Sequence, residues 1–323
     1  MIYNKRQPGK NRRLPVLYGI LGVLCLVLVV TIYHETEGRK EEGGVAARPV
    51  QAEATSSFTK TTVRKKQAEV RTAEVSSNTK PEKKKLQRLE EPAPYIGDVM
   101  DLDSTSQPWS YNVDRAKDFQ QQYGMYNADC YGQGKNAIYI TLNCAIENGY
   151  TEQMLDVLKE KDVRIAIFMT KRYAMKNPAI VKRMIRDGHQ IGSHSCYHPQ
   201  QGFENLTIEE QKADLKEFRD YMKKEFHYNP VLFRFPSGMY SVQSMAVVGS
   251  MGYRSVFYNF AYEDWYTDQS QNVSEAAAYD ALVAAMQPGC IYQLHNTSEA
   301  NLKVMGDFID TARKKGFKLP DYR

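Results

Sequence analysis

Cysteine is scarce in this 323-residue sequence, and no spacing between its five cysteines repeats. A small disulfide-stapled domain would show a denser and more regular cysteine framework. The composition therefore argues against that class of protein. The composition leaves open a single disulfide among the scattered cysteines, which are Cys25, Cys130, Cys144, Cys196 and Cys290.

The sequence also lacks a basic folded region. The net charge is +5, but residues 1–13 hold five Lys/Arg and no acid, and residues 34–92 carry 13 Lys/Arg against 10 Asp/Glu. The remainder of the chain, from residue 93 onward, therefore has a net charge of −3. Because nucleic-acid binding needs a basic patch, we exclude nucleic acid as a partner.

Long apolar runs are absent except for one, Leu14–Tyr33. Its length matches the roughly 20 residues that a helix needs to cross a bilayer. The basic tail 1–13 before it predicts a cytoplasmic N-terminus, and no small-residue cleavage site follows Val30. We therefore expect an uncleaved signal anchor in the cell membrane, with a single pass and the rest of the chain outside. A buried soluble helix is the alternative.

Residues 34–92 are rich in Lys, Glu, Thr, Ser and Ala and hold one aromatic residue, Phe58. Such a segment cannot bury enough apolar surface to offset its ordering entropy, so it predicts a disordered stalk. Residues 93–133 carry apolar anchors without a strong period. We expect an N-terminal extension that packs on a domain spanning 134–323.

The domain alternates predicted strands and helices. The first strand is predicted at 137–142, and Thr207 with Glu210 forms a capping box before a later helix. Six or seven such units imply a parallel sheet with right-handed crossovers. The pattern predicts an α/β fold, and periodicity alone leaves a barrel and a doubly wound sheet open.

Polar residues follow five of the predicted strands, at the sheet edge where α/β proteins build their sites. His194 and His198 are four residues apart. In a helical turn this spacing places both imidazoles on one side, where they can bind a single metal ion. Two exposed histidines in a polar turn are the alternative. The other polar positions are Asn143-Cys144, Arg234 to Gly238, Asp264-Trp265 and Leu294-His295.

These motifs, in this order, resemble the polysaccharide deacetylases with the NodB homology domain, also called carbohydrate esterase family 4. The resemblance rests on H-S-x-x-H from His194, R-x-P-x-G from Arg234, and the pairs Asp264-Trp265 and Leu294-His295. Within this family, the sequence most resembles the spore-cortex muramic-acid de-N-acetylases, also called δ-lactam-biosynthetic de-N-acetylases. The resemblance implies a distorted (β/α) barrel and hydrolysis of N-acetyl groups from a glycan such as peptidoglycan.

The resemblance also implies roles for individual residues. His194 and His198 would bind a divalent metal, zinc being the expected one. His295 would be the general acid, oriented by Asp264, and Arg234 would hold the catalytic base. The substrate-binding set would contain Pro236, Gly238, Tyr240, Trp265 and Leu294, although core packing is an equal interpretation of Tyr240.

The first motif departs from the family. Family members end this strand in T-F-D-D-G or T-F-D-N-G, where the first aspartate is the base and the second, where present, binds the metal. Here the run is Thr141 to Ala145, with Asn143 at the base position and Cys144 after it. An amide cannot accept a proton from water near neutral pH, and losing a general base costs about 10²–10⁴ in rate.

Cys144 has two interpretations, a third metal ligand as thiolate or an inert buried residue. Glu147 is a weaker candidate for a replacement carboxylate. Two functions therefore stay open. One is a membrane-anchored peptidoglycan de-N-acetylase weakened at Asn143. The other is a pseudoenzyme of the same fold that binds cell-wall glycan or a wall-assembly partner.

Overall fold

The computed structural model describes residues 88–322, which belong to one compact unit. The strands in this range are β1 (Gln107–Pro108), β2 (Ala128–Asp129), β3 (Tyr139–Cys144), β4 (Ala166–Met169), β5 (Gln190–Ser193), β6 (Leu232–Phe233), β7 (Met239–Tyr240), β8 (Arg254–Val256) and β9 (Ile291–His295). The α-helices are α1 (Val113–Tyr123), α2 (Thr151–Glu160), α3 (Lys171–Lys176), α4 (Pro178–Asp187), α5 (Ile208–Phe226), α6 (Val242–Ser250), α7 (Glu275–Ala284) and α8 (Glu299–Lys314).

Seven strands form one parallel sheet in the order β2-β8-β6-β5-β4-β3-β9. The segment after β8 reaches the far edge of this sheet through a parallel bridge between Phe260 and Tyr292 of β9. The sheet therefore curls on itself, and the expected α/β architecture of barrel type is confirmed. A separate antiparallel pair joins β1 to β7.

Local sequence signals place the helices. The Thr207 side chain caps α5 by accepting a hydrogen bond from the Glu210 backbone N–H. The Glu210 side chain accepts one from the Thr207 backbone N–H, which completes the predicted capping box. Pro178 opens α4 at a position where the missing N–H costs nothing. Gly188 ends the same helix at φ 96°, a left-handed conformation that glycine adopts without strain.

Alternation along β3 decides which side chains reach the barrel interior. Thr141 and Asn143 face inward, where both contact the Arg234 guanidinium. Ile140, Leu142 and Cys144 face the opposite way and pack in the main apolar core between the sheet and its helices. Successive side chains of a strand point to opposite faces, so neighbouring residues here have different environments.

The segment 93–133 contributes more than the expected packing extension. Its strand β2 pairs with β8 and supplies one edge of the parallel sheet. Trp109 is 4% exposed and stacks on Phe257 with ring centroids 4.2 Å apart. The sequence predicts neither short strand of this segment, because two residues are too few to show an alternation of apolar and polar side chains.

The predicted tail 1–13, the predicted span Leu14–Tyr33 and most of the stalk 34–92 lie outside the described residues. Within 88–322, no helix is both long enough and apolar enough to cross a membrane. The last part of the predicted stalk contacts the domain, since Arg88 donates to the His227 carbonyl at 3.0 Å and Glu91 pairs with Arg219 at 3.3 Å. Contacts with the domain therefore begin before the predicted boundary at residue 93.

Candidate active site

A cavity of about 500 Å³ opens at the carboxyl ends of the parallel strands. This is the edge at which α/β folds bind their ligands. Predicted site residues on its wall are Asn143, His194, His198, Gly238, Trp265 and His295. The structure thus brings together residues that are spread over 153 positions of the chain, counted from Asn143 to His295.

Arg234 lies beneath this cavity at the end of β6 and is 1% exposed. Its guanidinium donates to Thr141 Oγ1 at 2.6 Å and to Asn143 Oδ1 at 3.2 Å. It also donates to the carbonyls of Val256 and Phe257, at 3.1 and 3.3 Å. Among residues 88–322 no carboxylate forms an ion pair with it. Burial without a counter-charge lowers the pKa of Arg234 to about 9.

Asn143 links this arginine to the late histidine. Its Oδ1 accepts from Arg234, and its Nδ2 lies 3.5 Å from His295 Nε2. The amide therefore occupies the position that the resemblance gives to the catalytic base. It completes the hydrogen-bond chain without providing a group that can take a proton.

His295 is held by a buried carboxylate. Its Nδ1 lies 2.6 Å from Asp264 Oδ1, and its backbone N–H donates to Asp264 Oδ2 at 2.8 Å. Asn301 Nδ2 donates to the same Oδ2 at 2.7 Å, and Asp264 has no exposed surface. These contacts fix the imidazole with Nε2 toward the cavity, which is the arrangement that general acid–base chemistry needs.

His194 and His198 face each other with ring centroids 5.2 Å apart. His194 Nδ1 lies 2.9 Å from the Arg234 carbonyl, which leaves Nε2 for a ligand. The expectation of a helical turn is wrong, because Ser195 and His198 adopt φ of 64° and 52° in an irregular loop. The loop is held by Ser195 Oγ, which accepts from the His198 N–H at 2.8 Å.

Cys144 does not join the two histidines. The side chain has no exposed surface and packs in the apolar core on the helix side of β3. Burial raises the pKa of the Cys144 thiol well above its ordinary value, so it stays protonated. Of its two interpretations, the structure places it as the inert buried residue, because strand alternation turns it away from Asn143.

The donor set does not fit a catalytic zinc site of the usual kind. Such sites use three protein ligands and one open position. Within the described range, no group of three or more His, Cys, Asp or Glu side chains is placed to hold a metal. His194 and His198 remain as a pair. His194 is buried and His198 is half-buried, and loss of water lowers the pKa of both imidazoles, which are therefore neutral.

The predicted substrate-binding residues divide into two groups. Gly238 and Trp265 lie on the cavity wall, and Trp265 is 46% exposed with its ring 6.0 Å from that of His295. Tyr240 and Leu294 are 1% exposed and pack in apolar clusters, and Pro236 is buried beside the cavity. Leu294 faces the helices because it alternates along β9 with His295.

Several wall residues were not predicted from the sequence. Gln293 lies two positions before His295 on β9, and strand alternation offered a signal for it. Ser237 also lines the cavity, at φ 56° within the turn Pro236–Gly238. A positive φ outside glycine marks a constrained position, and such positions concentrate at functional sites.

Glu147 lines a second cavity and does not line the first. Its carboxylate accepts from Thr151 Oγ1 at 2.5 Å, the Tyr173 hydroxyl at 2.6 Å and the Gly149 N–H at 2.8 Å. A carboxylate fixed by these donors anchors the start of α2. The structure therefore does not place it as a replacement for the missing base.

Comparisons with known proteins agree with this architecture. Residues 131–256 match the family model described as polysaccharide deacetylase. The chain is 31% identical over 206 residues to the peptidoglycan-N-acetylmuramic acid deacetylase PdaA of Bacillus subtilis, covering 63% of this chain and 77% of that protein. The solved PdaA structure, a family 4 carbohydrate esterase, superposes with a TM-score of 0.61 at 27% identity, over 68% of this chain and 95% of that one. A family 4 carbohydrate esterase from Bacillus anthracis gives 0.57 at 29% identity, over 69% and 96%.

Proposed function

Because this chain belongs to the polysaccharide deacetylase family, we propose that it binds an N-acetylated cell-wall glycan without hydrolysing its N-acetyl groups. The glycan that fits this family context is peptidoglycan, the polymer for which the deacetylase PdaA is named. The cavity at the strand ends is the binding site. Trp265, half exposed at its wall, offers an aromatic face to a sugar ring.

The observation that carries the proposal is the amide of Asn143 between Arg234 and His295. Amide hydrolysis needs a group that takes the proton of the attacking water and a group that gives a proton to the leaving amine. His295, oriented by Asp264, can hold the second proton at Nε2. Among the residues on the cavity wall, none is a carboxylate that could take the first.

The retained pair of His295 and Asp264 supports a second candidate, a slow de-N-acetylase. A histidine held at 2.6 Å by a buried carboxylate is costly to maintain in a site with no chemistry. In this alternative, water reacts without a dedicated base, and the rate falls by about 10²–10⁴ relative to a complete site. Metal chemistry is not assigned to either candidate, because the donor set lacks a third ligand.

We further propose that the protein is anchored in the membrane by one N-terminal helix with its domain outside. The support is the apolar run Leu14–Tyr33 behind the basic tail 1–13. Such an anchor would hold the cavity close to the cell wall, where the proposed ligand lies.

Sedimentation of the full chain with purified peptidoglycan, with acetate measured in the same samples, tests the proposal. We expect binding that Trp265→Ala weakens and that Met125→Ala leaves unchanged, since Met125 is also exposed but does not line the cavity. Binding without acetate release supports the proposal. Acetate released at a slow, protein-dependent rate supports the second candidate. If the chain shows no binding and releases no acetate, both candidates are contradicted.

A further inference from the structure

A second cavity of about 640 Å³ lies beside the first and shares part of its wall. Ala145, Ile146 and His198 line both cavities. A ligand longer than one sugar that occupies the first cavity therefore has a continuous path into the second. Apart from His198, the family resemblance assigned no role to the residues that line this second cavity.

The second cavity carries unpaired positive charge. Arg172 and Lys176 of α3 line it, and no ion pair to either is present among residues 88–322. The neighbouring Lys171, in contrast, is paired with Glu217 at 2.6 Å. The exposed surface of α3 thus keeps two cations free on the side that faces the cavity.

One acid also lines this cavity, and its carboxylate is already occupied. Glu147 accepts hydrogen bonds from Thr151, Tyr173 and the Gly149 backbone, as described above. No cation pairs with it within the described residues. Two free cations against one fully hydrogen-bonded anion leave the cavity with net positive charge, which attracts an anionic group.

The helix backbone that carries the cations is held against the loop that lines the first cavity. Two backbone N–H groups of α3 donate to the histidine loop, from Lys171 to the Ser195 carbonyl at 3.2 Å and from Arg172 to the Cys196 carbonyl at 3.1 Å. Ile146 and Tyr197, 54% and 57% exposed, lie on the wall of the same cavity. Exposed apolar side chains beside free cations suit a sugar that carries an acidic substituent.

From these contacts we propose that the second cavity recognises a carboxylate next to the sugar held in the first cavity, through Arg172 and Lys176. The inference rests on the proposed glycan binding and defines its ligand further, as an acidic and not a neutral N-acetylated glycan. An arginine suits a carboxylate because its donors match the two oxygens in parallel. The carboxylate belongs either to the acidic ether substituent of a muramic-type sugar or to the peptide stem attached to it.

Calorimetric titration of the full chain with defined glycans tests this inference. The ligands are peptide-free peptidoglycan fragments and fragments that keep their peptide stems, each also prepared with its carboxyls converted to amides. The parent protein should bind the peptide-free acidic fragments about tenfold more tightly than the amidated ones, as expected for loss of charge-assisted hydrogen bonds. Carboxylate dependence seen only with peptide-bearing fragments supports the inference with the stem as the source.

Three variants separate the site from general charge. Arg172→Ala with Lys176→Ala should lower affinity for the acidic fragments about tenfold and abolish the preference over amidated fragments. Lys182→Ala, which removes an exposed lysine of α4 that lines neither cavity, should preserve both. Arg172→Lys should retain part of the preference, because it keeps the charge and loses the paired donors.

The outcomes distinguish this inference from the proposed function. If the parent binds the acidic and amidated forms equally for both the peptide-free and the peptide-bearing fragments, the carboxylate site is overturned and glycan binding is left intact. A double variant that keeps the full preference also overturns it. Absence of binding to every fragment overturns the proposed function and this inference with it.

Discussion

Replacing Asn143 with aspartate restores a carboxylate in the place where this family keeps its base. The change is nearly isosteric, and the new oxygen would lie where Oδ1 now accepts from Arg234 at 3.2 Å. The nearby guanidinium should lower the pKa of the new carboxyl, so that it is ionised at neutral pH. We therefore expect Asn143→Asp to raise acetate release from peptidoglycan by about 10²–10⁴, the usual worth of a general base.

The effect of this change on stability combines two opposing terms. Burial lowers the pKa of Arg234 from 12.5 to about 9. At ~1.4 kcal/mol per pKa unit, this corresponds to ~5 kcal/mol as an upper bound on the cost of a buried charge without a counter-charge. A buried carboxylate offsets that cost by supplying the counter-charge. Its own desolvation, however, costs several kcal/mol. The two nearly cancel, so the free energy of unfolding should change by less than about 2 kcal/mol.

The assay compares the parent, Asn143→Asp and Asn143→Ala for acetate release, with and without added zinc. Asn143→Ala is the control, because it removes the same hydrogen bonds without supplying a base. Adding His295→Gln to Asn143→Asp should abolish the gain, since the leaving amine then lacks its proton donor. If Asn143→Asp folds, binds peptidoglycan as the parent does and still releases no additional acetate, the missing carboxylate is not what limits this site.

If His194 and His198 bind zinc as a pair, Cys144→Ala should leave the zinc content of the purified chain unchanged and His194→Ala with His198→Ala should lower it, as measured by elemental analysis. Zinc lost on Cys144→Ala would show that the thiol reaches the histidines. Asp214 should contribute a pH dependence to folding, because burial raises its pKa to about 6 from 3.8. The folded chain keeps this proton longer than the unfolded chain, so the contribution to stability falls by up to ~3 kcal/mol as pH rises from about 4 to about 6. Asp214→Asn should remove that fall when the free energy of unfolding is measured by denaturant titration across this pH range. If the free energies of parent and variant differ by the same amount at every pH, the assignment to Asp214 is wrong. Protease added to intact cells with accessible surfaces should release the domain, and full protection would contradict an anchor at Leu14–Tyr33.

The sequence by itself determined the class of fold and most of the functional positions. Capping residues and apolar stripes depend on neighbours within one or two turns, so Thr207 with Glu210 marked the start of α5 correctly. The polar residues at or just after the carboxyl ends of β3, β5, β6 and β9 could also be predicted, because parallel strands place these ends at one edge of the sheet. Asn143, His194 and His295 line one cavity for that reason.

Only the tertiary structure decided which neighbours of those residues share the site. Cys144 and Leu294 stand next to Asn143 and His295 in sequence but face the helices, since successive side chains of a strand alternate between its faces. Only the family resemblance placed Arg234 against the base position. The fold shows it as a buried guanidinium that meets the amide of Asn143 in place of a carboxylate. Contacts of this kind join residues about 90 positions apart, from Asn143 to Arg234, and no local pattern encodes them.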